Sequence, residues 1–436
     1  MPKGKRKGKS DRLCKFADRV RNEGSLQTSD EESVIDNVSL ISGYSENNRS
    51  EDGTDEVDAI SQQEAFEEKL IEVIDGLSQK SAQGRTDSFE SVAKAFIKKY
   101  IPDFVLDRKL TIIDSIERSL RKGRGIEQGA AAELAPLLCI QLGGDGSEEV
   151  VSNLKSVLSI TSNDNSVSAL ARAKCCTSLA LITYLAGGEM GDALELMKQF
   201  QTIFSGSYLK GDGTIANVTA DLGALHAAAL SSWTLLFTLM SPGDVYTMIG
   251  NTTSFTPTLI QLSELLTSPH LEVRLSAGEA LAIVFELGRD YHEDFAEEFI
   301  PDLVDTLRQL ATDSHKYRAK KDRKQQRATF RDILHYIENE SLPDLQIRFG
   351  QEVLILDSWT RRNQYYALCH TLGSGLNMHL TENELLRDIF QLGSKLVINE
   401  SCVMKQSKLE RHLLNAAAFK ARTISRSKNR DKRSDF

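Results

Sequence analysis

Four stretches of this chain share one register, and that register limits what the chain can fold into. Ile126-Glu127-x-x-Ala130-x-x-Glu133-Leu134 is the first and weakest copy. Ala171-Arg172-x-x-Cys175-x-x-Ser178-Leu179, Leu225-His226-x-x-Ala229-x-x-Ser232-Trp233 and Val273-Arg274-x-x-Ala277-x-x-Ala280-Leu281 follow, with starts 45, 54 and 48 residues apart. The spacing i, i+4, i+7, i+8 places apolar or small residues on one face of a helix. A single helix cannot bury such a face alone. Copies that recur roughly every 40–47 residues bury theirs by stacking on one another.

The last copy is the clearest, and Ser268-Pro269-x-x-x-Val273-Arg274-x-x-Ala277 resembles the inner helix of a HEAT repeat. Pro269 stops the preceding helix, Val273 points into the core, Ala277 admits a neighbouring helix and Arg274 reaches the inter-repeat surface. The body from residue 62 reads as helices of about 12–20 residues with Gly-, Ser- or Pro-marked breaks. The expected fold is all-α: a helical-repeat solenoid of armadillo/HEAT type over residues 62–312, a small module over 313–404 and a basic helix or tail over 405–436. Residues 347–359, rich in β-branched and aromatic side chains, form the one convincing strand candidate. Helices are expected around 363–372 and 382–392, with Gly373-Ser374-Gly375 as a hinge or cap.

Charge is sorted into blocks behind a net of −9. Residues 1–22 carry nine Lys/Arg and two acids, and residues 23–75 carry sixteen acids and two bases. Residues 1–61 are Ser/Asp/Glu/Asn-rich and poor in aromatics, a composition that predicts a disordered head. Thr28 to Glu32 and Ser50 to Asp52 read equally as acidic-context phosphorylation sites or as a solubilising tail. The run Lys3 to Lys9 reads as a nuclear address or a weak nucleic-acid contact, and no apolar core follows it to make a secretory signal. No window reaches the roughly 18 apolar residues of a membrane span. The six cysteines include no CxxC pair, which fits reduced, mostly buried thiols in an intracellular protein.

Two basic regions stand out. Residues 405–436 hold ten Lys/Arg against three acids, and nothing apolar lies between Ile424 and Phe436. Arg422, Arg426, Arg430 and Arg433 fall on one stripe of a helix, and Lys428 and Lys432 line a second face. A helix polar all round draws no stability from its own core, so either it is a solvated tail or a polyanion such as RNA supports it. Leu409, Leu413, Ala416 and Ala417 would root it on a folded domain. Lys408, Arg411 and Lys420 add charge to that root. The second region holds Lys316, Arg318, Lys320, Lys321, Arg323, Lys324, Arg327 and Arg331 against Asp322. Phe330, Ile333, Leu334 and Ile337 then give an apolar stripe, so one long helix is expected with a cationic first half and a docked second half. A solvated face and a phosphate-backbone contact are both open readings. Arg361 and Arg362 follow the strand candidate and join the candidate RNA contacts.

Signatures of chemistry are absent from the sequence. It has no Walker loop, GxSxG, HExxH or EF-hand loop, and its eight histidines are scattered. Cys369 and His370 lie about 100° apart on a helix, which disfavours a dyad. Lys210-Gly211-Asp212-Gly213-Thr214 reads as a loop before a long helix with Thr214 as N-cap, or as an anion seat at the helix start. The chain is therefore read as a non-enzyme with no cofactor, no metal and no small-molecule substrate.

Several long motifs resemble the interferon-related developmental regulators of animals. They are Ser119-Leu120-Arg121-Lys122-Gly123-Arg124-Gly125 through Leu137-Leu138-Cys139-Ile140-Gln141-Leu142-Gly143, Phe330-Arg331-Asp332-Ile333-Leu334, Ile347-Arg348-Phe349-Gly350 and Asp357-Ser358-Trp359-x-Arg361-Arg362. Leu372-Gly373-Ser374-Gly375, Asn383-Glu384-Leu385-Leu386-Arg387-Asp388-Ile389-Phe390, Asn415-Ala416-Ala417-Ala418-Phe419-Lys420-Ala421-Arg422-Thr423 and Arg430-Asp431-Lys432-Arg433 continue the match. The resemblance implies an armadillo/HEAT-like fold. It also implies one of two roles. Some members resemble transcriptional co-regulators that bring histone deacetylase complexes to DNA-bound factors. Others resemble ribosome-silencing factors that occupy the P and E sites and thread a C-terminal helix into the mRNA channel. The narrow, Ala-rich root and the arginine stripe suit the second role better, because such a helix fits a tunnel walled by phosphates. Ribosomal RNA is then the expected partner, the cytoplasm the main location, and deacetylase co-repressors in the nucleus the alternative.

Overall fold

The computed structural model describes residues 55–187, 189–250, 256–313 and 319–395, with side chains from residue 62 onward. The chain is mostly helical. It runs α1 (Asp55–Asp75), α2 (Ala82–Lys98), α3 (Pro102–Leu106), α4 (Lys109–Lys122), α5 (Ile126–Asn163), α6 (Ala169–Leu185), α7 (Met190–Phe204) and α8 (Ala220–Phe237). Then come α9 (Pro242–Gly250), α10 (Leu259–Glu264), α11 (Leu271–Tyr291), α12 (Ile300–Thr312) and α13 (Lys320–Asn339). A hairpin of β1 (Leu345–Phe349) and β2 (Glu352–Leu356) precedes α14 (Trp359–Leu372), α15 (Leu376–Glu382) and α16 (Glu384–Ile389). Helix starts are set locally: Ser81, Ser168, Thr219, Thr258, Ser358 and Asn383 each accept a first-turn N–H on the side chain. Gly143, at φ 78°, bends α5 into two helices.

The four in-register stretches are the first half of α5 and the helices α6, α8 and α11. They stack in sequence order, α5 on α6, α6 on α8, α8 on α11, and α13 continues the series on α11. Between them, α4 and α2 pack on α5, α7 on α8, α9 on α11 and α12 on α13. Ala130, Cys175, Ala229 and Ala277 are buried, as are Leu134, Leu179, Trp233 and Leu281. Small residues at the crossing points let neighbouring helices approach. Gly278 makes this concrete, because a Cβ there would lie 2.8 Å from Phe330 and 2.9 Å from Ile333 of α13. Burial pushes the Cys139 and Cys175 thiols up to about 12, as expected for inert core cysteines.

The second residue of each copy plays a common part. Glu127 pairs with Arg85 at 2.6 Å, and the Arg172 Nε donates to the Ser162 carbonyl at 2.8 Å. His226 Nδ1 meets the Ser207 hydroxyl at 2.7 Å. Arg274 Nη1 donates to the Ser268 carbonyl at 2.6 Å, while its Nε and Nη2 reach Gln326 Oε1 on α13 at 3.2 and 2.7 Å. Each buried polar side chain thus clips its helix to an adjoining segment, and Arg274 also joins two neighbouring helices, α11 and α13.

Three local expectations need correction. Ile126, the first residue of the first copy, is 77% exposed, because it opens α5 and has no preceding turn to cover it. Thr214 does not cap a helix. Its N–H and hydroxyl both bond Asp212 Oδ1 in a turn, and Thr219 caps α8 five residues later. The strand candidate is two strands rather than one. Leu345↔Leu356 to Phe349↔Glu352 pair antiparallel around Gly350-Gln351, where Gly350 takes φ 54° for the two-residue turn. Trp359 belongs to the helix that follows.

After the hairpin the chain returns across the stack. Helix α14 packs against α5, α8 and α11, and α16 packs against α5. The Glu286 carboxylate of α11 accepts from Trp359 N at 2.6 Å and from the N–H and hydroxyl of Thr360, so an anion holds the N-terminus of α14. Gln364 Nε2 donates to Thr238 Oγ1 at 3.1 Å. His379 Nε2 meets the Phe96 carbonyl at 2.9 Å and Asn383 Nδ2 donates to the Ile140 carbonyl at 2.6 Å. Gly375 rests on the end of α2 so closely that a Cβ would fall 1.9 Å from the Ile97 oxygen. The buried Arg387 ties the hairpin in through Glu352 at 2.7 and 2.9 Å.

Candidate nucleic-acid interface

Helix α13 has two faces for a simple geometric reason. Gln326, Phe330, Ile333 and Ile337 repeat at i+4, i+3, i+4 and are buried. Lys320, Lys324, Arg327 and Arg331 repeat at the same spacing, turned roughly 120° around the axis. The first half docks through one polar residue. Gln326 Oε1 takes the Arg274 guanidinium, and its Nε2 donates to the Leu310 carbonyl at 3.3 Å and Asp313 Oδ2 at 3.1 Å. That anchor fixes the rotation of the helix, so the cationic stripe faces outward.

The candidate cations differ in how free they are. Lys320, Lys321, Lys324 and Arg331 are exposed. Arg323 and Arg327 are half-buried, and Arg327 Nε donates to the Arg323 carbonyl at 3.3 Å. Arg361 and Arg362 are largely committed to the fold. Arg361 spans the Ile355 and Phe390 carbonyls at 3.4 and 3.3 Å and pairs with Asp357 at 3.6 Å. Arg362 donates to the Pro343 carbonyl and lies 5.9 Å from the Trp359 ring centroid. Lys316 and Arg318 lie outside the described residues, as do Lys408, Arg411, Lys420, Arg422, Arg426, Lys428, Arg430, Lys432 and Arg433. What the described surface brings together is therefore the α13 stripe.

Cys369 and His370 form no dyad: the thiol is half-buried beside Tyr365, and the imidazole is exposed. Among the described residues no cluster of His, Cys, Asp or Glu could hold a metal, and no helix is long and apolar enough to cross a membrane. Sequence reasoning missed one feature. A cavity of about 610 Å³ lies between α14 and the stack, with Glu279 of α11 in its wall. Only the return of α14 creates it, and periodicity carries no trace of that.

The sequence pattern of the interferon-related developmental regulator family matches residues 37–338, and the interferon-related protein conserved region matches residues 383–434. Interferon-related developmental regulator 2 of Mus musculus is 43% identical over 387 residues, covering 88% of this chain and 86% of its own. Interferon-related developmental regulator 1 of Homo sapiens is 39% identical over 411 residues, covering 93% and 90%. An uncharacterised protein of Schizosaccharomyces pombe is 29% identical over 201 residues, or 42% of this chain and 43% of its own. With its repeated helices, its Asp357-Ser358-Trp359 turn and its Asn383-capped end all inside a match of this length, the chain belongs to the interferon-related developmental regulator family.

Proposed function

We propose that this protein is a non-enzymatic regulator that binds the ribosome, in the region of the P and E sites and the mRNA channel, and represses translation during differentiation. The observation that carries the reading is the outward cationic stripe of α13, Lys320, Lys324, Arg327 and Arg331, in a chain whose residues 405–436 hold a second run of ten Lys/Arg. A cationic stripe on a folded helix, together with a second basic run in the sequence, suits a phosphate-rich partner, since a protein that neutralises phosphates gains affinity by releasing counterions. The architecture we infer is an armadillo/HEAT-like array over residues 62–312, closed by a module over 313–404 and carrying the basic segment 405–436. That closure bears on the alternative. A co-regulator that gathers deacetylase complexes in a repeat groove needs that groove open, whereas α14 packs on α5, α8 and α11.

The test is sedimentation with 80S particles through sucrose at rising salt. If about five phosphates are met, log K falls against log salt with a slope of roughly −3.5 to −4.5. A salt-insensitive affinity, or no association at any salt, overturns the reading and leaves transcriptional co-regulation in the lead.

A further inference from the structure

The cavity beneath α14 is lined along α6, α8 and α14 by small side chains, among them Ala173, Ala228, Ser231 and Ala367. Such residues leave about 610 Å³ unfilled, a volume in the range of sites that take small organic ligands. Its wall is mostly apolar, so water is poorly held there and an empty space of this size costs stability. Hydroxyl, amide and charged side chains interrupt that wall. Lys174 and Glu133 neutralise each other at 2.9 Å. Glu279, which lines the cavity from α11, has no hydrogen-bond or ion-pair partner among the described residues. The buried Asn363 Oδ1 and Ser232 Oγ, also in the lining, have no partner either. A carboxylate and an amide oxygen can only accept, unless the carboxylate is protonated. The unmet need of the site is a donor with a positive charge and an apolar body.

We propose that this cavity is a binding site for an aliphatic ammonium group, with the carbon chain against the small side chains of α6 and α8 and the nitrogen donating to Glu279 and Asn363 Oδ1. The cation would come either from a free alkylamine or from a lysine side chain of a partner peptide. Tyr366 and His370 line the cavity and are themselves exposed, so the site is open to either source. A neutral donor gives Glu279 a hydrogen bond without a counter-charge and binds more weakly, and an anionic ligand is repelled. The inference does not rest on ribosome binding, which uses other surfaces.

The charged and titratable groups around the site are Glu133 on α5, Lys174 on α6, Glu279 on α11, and Tyr366 and His370 on α14, with Asp332 of α13 and Arg362 acting on Tyr366. Burial pushes the Glu279 carboxyl up to about 7, so amine binding should weaken as pH falls below that value. The experiment is calorimetric titration of the full chain with n-hexylamine, n-hexanol and hexanoate, and with a short lysine peptide beside its ε-acetylated form. Saturable binding of the amine, with hexanol weaker by about tenfold or more and hexanoate silent, is expected. Glu279→Gln should abolish amine binding while the far-UV spectrum is unchanged, and Ala228→Leu should abolish it by filling the space. His370→Gln should keep both the binding and its pH dependence. Binding of the lysine peptide but not of hexylamine assigns the cation to a protein partner, and the reverse assigns it to a free amine. Failure of both, or equal binding to Glu279→Gln, overturns the proposal.

Discussion

Glu279 is a half-buried carboxylate with no protein partner among the described residues. Its carboxyl moves from an ordinary 4.5 up to about 7 because burial disfavours the charge. A group raised in the folded state contributes stability that is fully present below its unfolded value and is lost as pH rises through the folded one. Ionised Glu279 therefore weakens the fold at pH 8 and costs nothing near pH 4.5. Glu279→Gln removes the penalty, so the variant should be more stable than the parent at pH 8, by about 2–3 kcal/mol at most, with the difference shrinking toward pH 5. Urea midpoints of both proteins at the two pH values check this, and a pH-independent difference would refute it. Arg274 is the opposite case. Buried to 2% exposure, it joins the Ser268 carbonyl and Gln326 across 52 residues of chain. Arg274→Ala should cost about 2–4 kcal/mol, seen as a lowered melting temperature. Arg274→Lys should rescue little, because one ammonium lacks the planar fork that serves both acceptors.

At the scale of elements, legibility followed range. The stack of α5, α6, α8 and α11 was readable because its signal lies inside single helices, where spacing alone sorts buried from exposed residues. The two-faced α13 was readable for the same reason. Helix α15 was not, because its seven residues carry too little periodicity, and it is held by His379 on the Phe96 carbonyl of distant α2. The second strand was hidden because Gly350 looked like part of one β-rich run. The free or committed state of Arg361 and Arg362 was equally hidden, since it depends on carbonyls of Ile355, Phe390 and Pro343. The Gly373-Ser374-Gly375 segment shows the gap between the two kinds of signal. Gly373 ends α14 at φ 47°, as its type suggests, while Gly375 is required by contact with Ile97. Gly375→Ala should therefore force the module off the end of α2 at a cost of about 1–3 kcal/mol. Hydrogen exchange should speed up in α15, α16 and the last turn of α2 but not in α8 or α11. Uniform loss of protection, or none, would show that the module is not latched there.

The whole molecule separates what holds the fold from what carries charge. The described core runs from Leu70 to Phe390. Among the described residues it closes through α14, the hairpin and α16. Residues 415–436 are polar apart from the Ala416–Ala418 run, Phe419, Ala421, Ile424 and Phe436, and they carry the arginine stripe. Deleting 415–436 should leave the melting temperature nearly unchanged while association with 80S particles and translational repression both drop sharply. Charge reversal to Glu at Arg422, Arg426 and Arg430 should reproduce the deletion. Each reversal turns attraction to phosphate into repulsion yet keeps a residue of good helix propensity. Reversal at Lys320, Lys324 and Arg331 on α13 should weaken the same association more mildly, because Arg323 and Arg327 there are half-buried and fewer cations are free. It should also leave the buried side of the helix intact, since Gln326 and Phe330 face the other way. Any binding to a deacetylase complex should survive every one of these changes, because its contacts would lie on the packed helices rather than on the cationic surfaces. A triple-reversed protein that still sits on 80S particles at physiological salt would remove the charge argument and, with it, the ribosomal reading.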